Sequence, residues 1–236
     1  MSGHSKWSTI KRQKGANDAK RGAVFTKLGN QIAIAARGGT DPLTNSSLAM
    51  IIEKAKTANM PGANIQRSID RVKDKNAAVL EEITYEAYGP GGVGVLIECA
   101  TDNKNRTFPE VKNVLTKTGG RVAEPGAVSF QFERKGVIRV NGTGEKTLLE
   151  VLDAGAEDAY EQDDETVVEV EAKNLANARS TIASKGLEVK EASLEYVPKS
   201  SVKLETPEIS NKVLKLLEAL DDLDDVVNVS SNADFT

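Results

Sequence analysis

The sequence predicts an α+β protein with a helical N-terminal part, and three patterns lead to this prediction. Apolar residues recur at helical spacing up to about residue 75, and they alternate with polar residues from about residue 80 onward. Beyond residue 134 the expected order of elements is β-α-β-β-α-β, which is typical of a ferredoxin-like sandwich. We therefore expect an N-terminal three-helix bundle and two ferredoxin-like α+β domains, with the third domain inserted into the second.

Three amphipathic segments predict the helical bundle. Val24, Leu28 and Ile32 recur at four-residue spacing in the first segment, which a pair of glycines ends at residues 38 and 39. A second segment follows the turn at Asp41-Pro42, and a third carries Ile65. Because short connections join the three segments, each can bury its apolar stripe only against the other two.

Alternating strands predict the second domain. Two strands flank the turn at residues 89–92, as in a hairpin, and a helix follows them. Val128, Phe130 and Phe132 alternate with polar residues and predict a further strand. A helix from Pro207 and a strand at residues 226–229 lack local partners, so we expect them to complete this domain around an insertion. The expected boundaries are 1–79 for a basic arm and helical domain, 80–133 plus 202–236 for the α+β domain, and 134–201 for the acidic insertion.

The formal net charge of −4 conceals a division of charge along the chain. Residues 1–75 carry 14 lysines and arginines against 5 acidic residues, a net charge of +9, whereas residues 76–236 carry 17 against 30, a net charge of −13. Lysine and arginine gain affinity for nucleic acids by releasing counterions from the phosphate backbone. We therefore expect the N-terminal part to bind nucleic acid and the acidic remainder to face elsewhere.

Several function classes are excluded by composition. No apolar run approaches the roughly 20 residues of a membrane-spanning helix, and the N-terminus lacks an apolar signal core, so we expect a cytoplasmic protein. One cysteine, Cys99, and one histidine, His4, cannot form a disulfide or a zinc site, so no metal is expected. The same scarcity leaves no recognisable nucleophile and base, so we expect no enzymatic activity.

Gly89, Gly91 and Gly94 match the letters of the dinucleotide-binding pattern G-x-G-x-x-G. In that motif the glycines follow a strand and open a helix, whose N-terminus receives the pyrophosphate. Here they lie between two expected strands, so the sequence predicts no cofactor.

The N-terminal arm carries the strongest signal for nucleic-acid binding. Trp7 stands there among six cations with a single opposing acid, Asp18. The cations are Lys6, Lys11, Arg12, Lys14, Lys20 and Arg21. Trp7 has two interpretations: it stacks on an unpaired base between phosphate-binding cations, or it anchors the arm on a folded domain.

The polar loop at residues 101–107 also has two interpretations. Its Asn and Thr side chains could cap the helix that follows, because such side chains accept hydrogen bonds from free backbone N–H groups. One capping residue suffices, however, so Asn103, Asn105 and Arg106 could instead form a recognition loop.

Several motifs of this sequence together resemble the YebC/PmpR family over nearly the whole chain. The matching motifs are Gly3-His4-Ser5-Lys6-Trp7, Asp18-Ala19-Lys20-Arg21, Phe25-Thr26-Lys27, Ala36-Arg37, Asn59-Met60-Pro61, Tyr88-Gly89-Pro90-Gly91-Gly92-Val93, the loop at 101–107 and Phe132-Glu133-Arg134-Lys135-Gly136. The resemblance implies a helical N-terminal domain, two α+β domains with the third inserted in the second, and no enzymatic activity. It also implies DNA-binding transcriptional regulation, or ribosome association and relief of stalling at proline-rich sequences; mitochondrial relatives are translational activators.

Two functions therefore stay open. The favoured hypothesis is a ribosome-associated translation factor that binds ribosomal or transfer RNA, because an acidic body beside duplex DNA is repelled and no helix-turn-helix signature is present. The alternative is a DNA-binding transcriptional regulator. The expected nucleic-acid-binding residues are Lys6, Trp7, Lys11, Arg12, Lys14, Lys20, Arg21, Lys27, Arg37, Asn103, Asn105 and Arg106.

Overall fold

The computed structural model describes residues 7, 18–74 and 77–235, with side chains at Trp7, 22–74 and 77–235. Phe132–Val197 form one compact unit, and the described residues before and after that segment form the other.

Three helices form the N-terminal bundle, as the periodicity predicts. They are α1 at Asp18–Ala35, α2 at Ser46–Thr57 and α3 at Gly62–Asp70. Asn45 joins the first two: its side chain accepts from the Leu48 amide at 3.1 Å and donates to the Ala35 carbonyl at 2.8 Å. The apolar stripes meet in a core around the fully buried Ile32 and Leu48.

The remaining elements follow in chain order. The first group is β1 at Glu81–Tyr88, β2 at Gly94–Thr101, α4 at Lys104–Thr118 and β3 at Arg121–Val122. The inserted unit has β4 at Phe132–Asn141, α5 at Glu145–Asp153, β5 at Asp158–Gln162, β6 at Glu165–Glu171, α6 at Leu175–Ser184 and β7 at Val189–Pro198. The last group is β8 at Val202–Lys203, α7 at Pro207–Asp221, β9 at Val226–Ser231 and β10 at Ala233–Asp234.

Two four-stranded sheets confirm the α+β prediction. The inserted unit has the strand order β5-β6-β4-β7 and the element order β-α-β-β-α-β, which is the ferredoxin-like arrangement. The other sheet has the order β3-β1-β2-β9, and α4 and α7 pack on it to give an outer sandwich with a different element order. The helix α1 also packs against β2 and β9, so the bundle and the outer sandwich form one compact unit.

The strand predicted from Val128 to Phe132 is wrong. Ser129–Gln131 form a short 3-10 turn instead, and Phe132 opens β4 of the inserted unit. The cause is the carboxylate of Glu86, which accepts the amides of Gly126, Val128 and Ser129 at 2.6–2.8 Å. Those N–H groups are therefore not available to a strand ladder.

The chain leaves and re-enters the outer sandwich at one place. The amide of Lys199 donates to the carbonyl of Gln131 at 2.8 Å. Asn232, which is buried, accepts from the Gly94 amide and donates to the Gln131 side chain, both at 2.8 Å. One buried amide side chain thus ties the C-terminal strand region to the point of insertion.

Candidate nucleic-acid interface

Trp7 anchors the chain on the outer sandwich. Its side chain is 7% exposed and belongs to the same buried cluster as Leu217 and Val229. Its indole Nε1 donates to the Val229 carbonyl at 3.2 Å, on the edge strand β9. Of the two interpretations of Trp7, the structure shows the anchor; in this position the indole is not available to stack on a base.

Lys27 is also tied to the protein. Its ammonium donates to the carbonyl of Asp221 and lies 3.9 Å from the carboxylate of the same residue. Asp221 is the last residue of α7, where the helix dipole also favours a cation. Lys27 therefore holds α1 against the end of α7, and only 14% of its side chain is exposed.

Arg37 is exposed at the end of the bundle. Its Nη2 donates to the carbonyl of Leu80, immediately before β1. The guanidinium has five N–H donors, so this bond fixes its position and leaves donors for a ligand.

The remaining predicted cations lie outside what the structure describes. Lys6, Lys11, Arg12 and Lys14 fall outside the described residues. Lys20 and Arg21 lie on α1, but their side chains are not among those described. The segment at residues 22–74 holds 7 cations and 4 acids, so it carries only +3 of the +9 found in residues 1–75. Most of the positive charge therefore belongs to the flanking segments.

The loop at residues 101–107 is organised around the buried carboxylate of Asp225. That carboxylate accepts from the hydroxyls of Thr101 at 3.0 Å and Thr107 at 2.6 Å, and from Arg106 Nη2 at 2.8 Å. Asn103 caps α4 by accepting from the Arg106 amide at 3.2 Å. Thr101 and Thr107 are buried, whereas Asn103 and Arg106 are exposed. The side chains at 101, 103, 106 and 107 all form hydrogen bonds within the protein, and the role of Asn103 agrees with the capping interpretation.

The pKa of Asp225 lies below the ordinary aspartate value. Burial acts to raise it, but hydrogen bonds from Thr107, Arg106 and Thr101 to the ionised form outweigh that effect. The hydrogen bonds to Asp225 therefore stabilise the folded protein most when its carboxylate is ionised.

We expect Asp225→Asn to lower the free energy of unfolding by about 2 kcal/mol at pH 7, because hydrogen bonds to a charged group contribute about 1.5–3 kcal/mol. A group with a depressed pKa stabilises above its unfolded pKa, about 3.9 for aspartate, and this contribution is lost as the pH falls through the folded value. The deficit of the variant should therefore shrink at pH 3. Urea unfolding at both pH values checks this, and an equal deficit at the two would contradict it.

The glycine turn packs against α7. A methyl group at Gly89 would lie 2.9 Å from Leu216 Cδ2, and one at Gly91, where φ is +74°, would lie 3.0 Å from Ile209 Cγ2. The turn joins β1 and β2 as a hairpin, as predicted. Its glycines are thus explained by close packing and by two left-handed backbone positions, Gly91 and Gly92.

Three further observations concern other classes of site in the described part of the chain. Cys99 is buried, and burial raises the pKa of its thiol to about 12. Within residues 18–74 and 77–235, no group of three His, Cys, Asp or Glu side chains could hold a metal ion. No described helix is both long enough and apolar enough to cross a membrane.

Comparison with known proteins identifies the family. One family model, described as the TACO1/YebC protein N-terminal domain, matches residues 5–75, and a second, described as the TACO1/YebC second and third domain, matches residues 80–233. The chain belongs to the TACO1/YebC family.

Two bacterial relatives of this TACO1/YebC chain are similar to it over almost their whole length. The "Probable transcriptional regulatory protein" of Moorella thermoacetica is 45% identical and that of Frankia casuarinae 47% identical, each over 100% of this chain and 96% of the relative. The crystal structure of a conserved hypothetical protein from Aquifex aeolicus has a TM-score of 0.86 and 39% identity, over 92% of this chain and 91% of that one.

In this TACO1/YebC chain, α4 presents an outward stripe, of which the sequence analysis predicted Asn105 but missed Phe108 and Lys112. Asn105, Phe108 and Lys112 are exposed and lie on one face of the helix, because they are three and four residues apart. The ring of Phe108 contacts Tyr85, with ring centroids 5.5 Å apart, and its side chain is 38% exposed. The i, i+4 spacing of Lys104, Phe108 and Lys112 was the available signal. The ammonium of Lys104 lies 2.5 Å from the Glu81 carboxylate. An exposed aromatic ring beside lysines can stack on an unpaired base while an ammonium group contacts a phosphate.

Proposed function

We propose that this protein regulates gene expression, without catalysis, by binding nucleic acid in the cytoplasm, and that its target is structured RNA on the ribosome. The division of charge supports the proposal: +9 on residues 1–75 and −13 on the rest. A basic segment gains affinity from every phosphate that it neutralises, while the acidic body is repelled from the same polyanion. Most of the phosphate contacts are thereby expected on one domain, which we assign to residues 1–79.

The stripe on α4 favours RNA over duplex DNA. An exposed ring such as Phe108 can stack only on a base that is not already stacked in a helix, and such bases occur in the loops and bulges of structured RNA. Asn105, on the same face, can form hydrogen bonds with the edge of an unpaired base. We further propose that this binding relieves ribosomes stalled at proline-rich sequences.

One observation favours a DNA target. The relatives are named probable transcriptional regulatory proteins. A DNA-binding transcriptional regulator is therefore the second candidate, and its basic segment would contact the duplex backbone.

Co-sedimentation with ribosomes at moderate salt tests the proposal, beside binding to promoter-length duplex DNA. We expect wild-type protein to sediment with ribosomes. Phe108→Ala should weaken the association about 5- to 150-fold, because stacking contributes about 1–3 kcal/mol per base. Phe130→Ala is the matched control, because Phe130 is 66% exposed and belongs to the 3-10 turn rather than to α4. Its association should match that of the wild type.

One outcome would contradict the translation proposal: wild-type protein that does not sediment with ribosomes yet binds particular duplexes at nanomolar concentration, which would favour the transcriptional regulator. Equal effects of the two phenylalanine variants would show that the stripe on α4 is not part of the interface. A reporter with consecutive proline codons, translated with and without the protein, tests the relief of stalling separately.

A further inference from the structure

A small cavity lies where the helical bundle meets the segment leading to β1. Its volume is about 110 Å³, and two cationic side chains, Arg37 and Arg71, line it. The rest of the wall includes the acidic residue Asp74 and the exposed apolar side chains of Val72 and Val79. A water molecule occupies about 30 Å³ of liquid volume, so the cavity has room for a group of a few heavy atoms.

Backbone carbonyls hold both guanidinium groups at the cavity. Arg37 donates to the Leu80 carbonyl, and Arg71 Nη2 donates to the Ala78 carbonyl at 3.5 Å. Arg71 Nη1 also donates to Asn30 Oδ1 at 3.3 Å, and Arg71 lies 3.9 Å from the Asp102 carboxylate. The bonds of Arg71 are long, so a better acceptor can replace them. The guanidinium of Arg37 is thus held in place, that of Arg71 has only long contacts, and both keep further N–H donors for a ligand.

The ligand that fits two guanidinium groups in a small cavity is a tetrahedral oxyanion. Arginine binds phosphate through two parallel N–H···O bonds, which gives both affinity and orientation. Val72 and Val79 are 40% and 69% exposed, and they provide apolar contacts for the sugar next to the phosphate. The carboxylate of Asp74 repels an anion in the cavity, so it lowers the affinity for free phosphate. Tight binding therefore also requires contacts between the rest of the ligand and neighbouring residues.

We propose that this cavity binds one phosphate group of an RNA backbone, through Arg37 and Arg71. This inference rests on the proposed function, and it assigns to Arg71, Asp74 and residues 77–80 a role in recognition. It also extends the interface along the chain, from the basic N-terminal segment toward the exposed face of α4.

The test is fluorescence anisotropy of the full-length protein with a labelled fragment of ribosomal RNA, over a series of salt concentrations. Arg37→Gln and Arg71→Gln should each weaken binding about tenfold at low salt and lower the slope of log affinity against log salt by about one. Arg67→Gln is the matched control, because Arg67 is exposed on α3 and is not part of the cavity wall. It should have a clearly smaller effect. Asp74→Asn should tighten binding, which a loss of folding cannot produce.

Calorimetry with inorganic phosphate and with adenosine monophosphate distinguishes the source of the phosphate. Weak or absent heat from both, together with the anisotropy results above, supports an RNA backbone phosphate. Micromolar binding of either probe that is lost in Arg71→Gln would overturn the assignment to RNA in favour of a free anion.

The failures of the two proposals differ. Tight RNA binding by the wild type that is unchanged in Arg37→Gln, Arg71→Gln and Asp74→Asn would overturn the cavity alone. Wild-type protein that binds neither ribosomes nor the RNA fragment would overturn the proposed function as well. Thermal unfolding of each variant by circular dichroism shows whether a loss of binding has its origin in a loss of folding.

Discussion

Replacement of Trp7 by alanine is expected to lower the free energy of unfolding by about 3–5 kcal/mol, as for other buried aromatic residues. The variant loses a large apolar side chain from the core of the outer sandwich and the hydrogen bond from Nε1 to the Val229 carbonyl. Urea unfolding followed by circular dichroism measures the effect, because Trp7 is the only tryptophan and the variant has no indole fluorescence.

Trp7→Phe separates the two contributions. It keeps most of the apolar area and removes the N–H donor, so its cost should be near 1 kcal/mol. Loss of the anchor should also expose the outer edge of β9, and exposed edge strands promote aggregation. Unchanged unfolding of Trp7→Ala would mean that Trp7 is not an anchor in solution and would restore the base-stacking interpretation.

Simultaneous charge reversal of Lys11, Arg12, Lys20 and Arg21 to glutamate is expected to have the largest effect on binding. If each contacts one phosphate, the slope of log affinity against log salt should fall by about four. At 0.15 M salt, four such contacts correspond to a loss of affinity of about a thousandfold. Salt titrations of RNA binding, by filter retention or anisotropy, measure both quantities.

A double reversal in the inserted unit provides the control. Lys146 and Lys173 are exposed there, far along the chain from the basic segment, and their replacement by glutamate should leave the slope unchanged. A slope that does not change in the fourfold variant would show that residues 1–75 do not carry the nucleic-acid interface.

Helices and strands that depend on residues close together in the sequence were predictable from the sequence. The stripes of the bundle and the β-α-β-β-α-β order of the inserted unit follow from spacing within a few residues. The strand expected at residues 128–132 failed because Glu86, some forty residues earlier, accepts the backbone amides of that segment. A hydrogen bond between residues so far apart in the sequence produces no local pattern from which it could be predicted.

The predictions about the candidate site also divide into those with a local cause and those that depend on residues far apart in the sequence. The charge of residues 1–75 indicated where to expect nucleic-acid binding, and that prediction still requires its experiment. Whether one cation is available to a ligand depends on distant partners: Asp221 for Lys27 and Asp225 for Arg106. Phe108 was overlooked because a helical aromatic residue is usually part of a core, and only the fold shows which side of α4 faces outward.

The hydrogen bond between Lys199 and Gln131 also bears on the order of folding. Without a folded insertion, the outer sandwich must close a loop of about 66 residues, 132–197, before α7 and β9 can dock. A folded insertion brings its two ends together and reduces that loop to an effective length of about four residues. Loop closure costs about 0.6 kcal/mol per doubling of length, so this reduction favours closure by about 2.4 kcal/mol. The inserted unit is therefore expected to fold first, and the outer sandwich can be completed only after residues 198–236 have been synthesised.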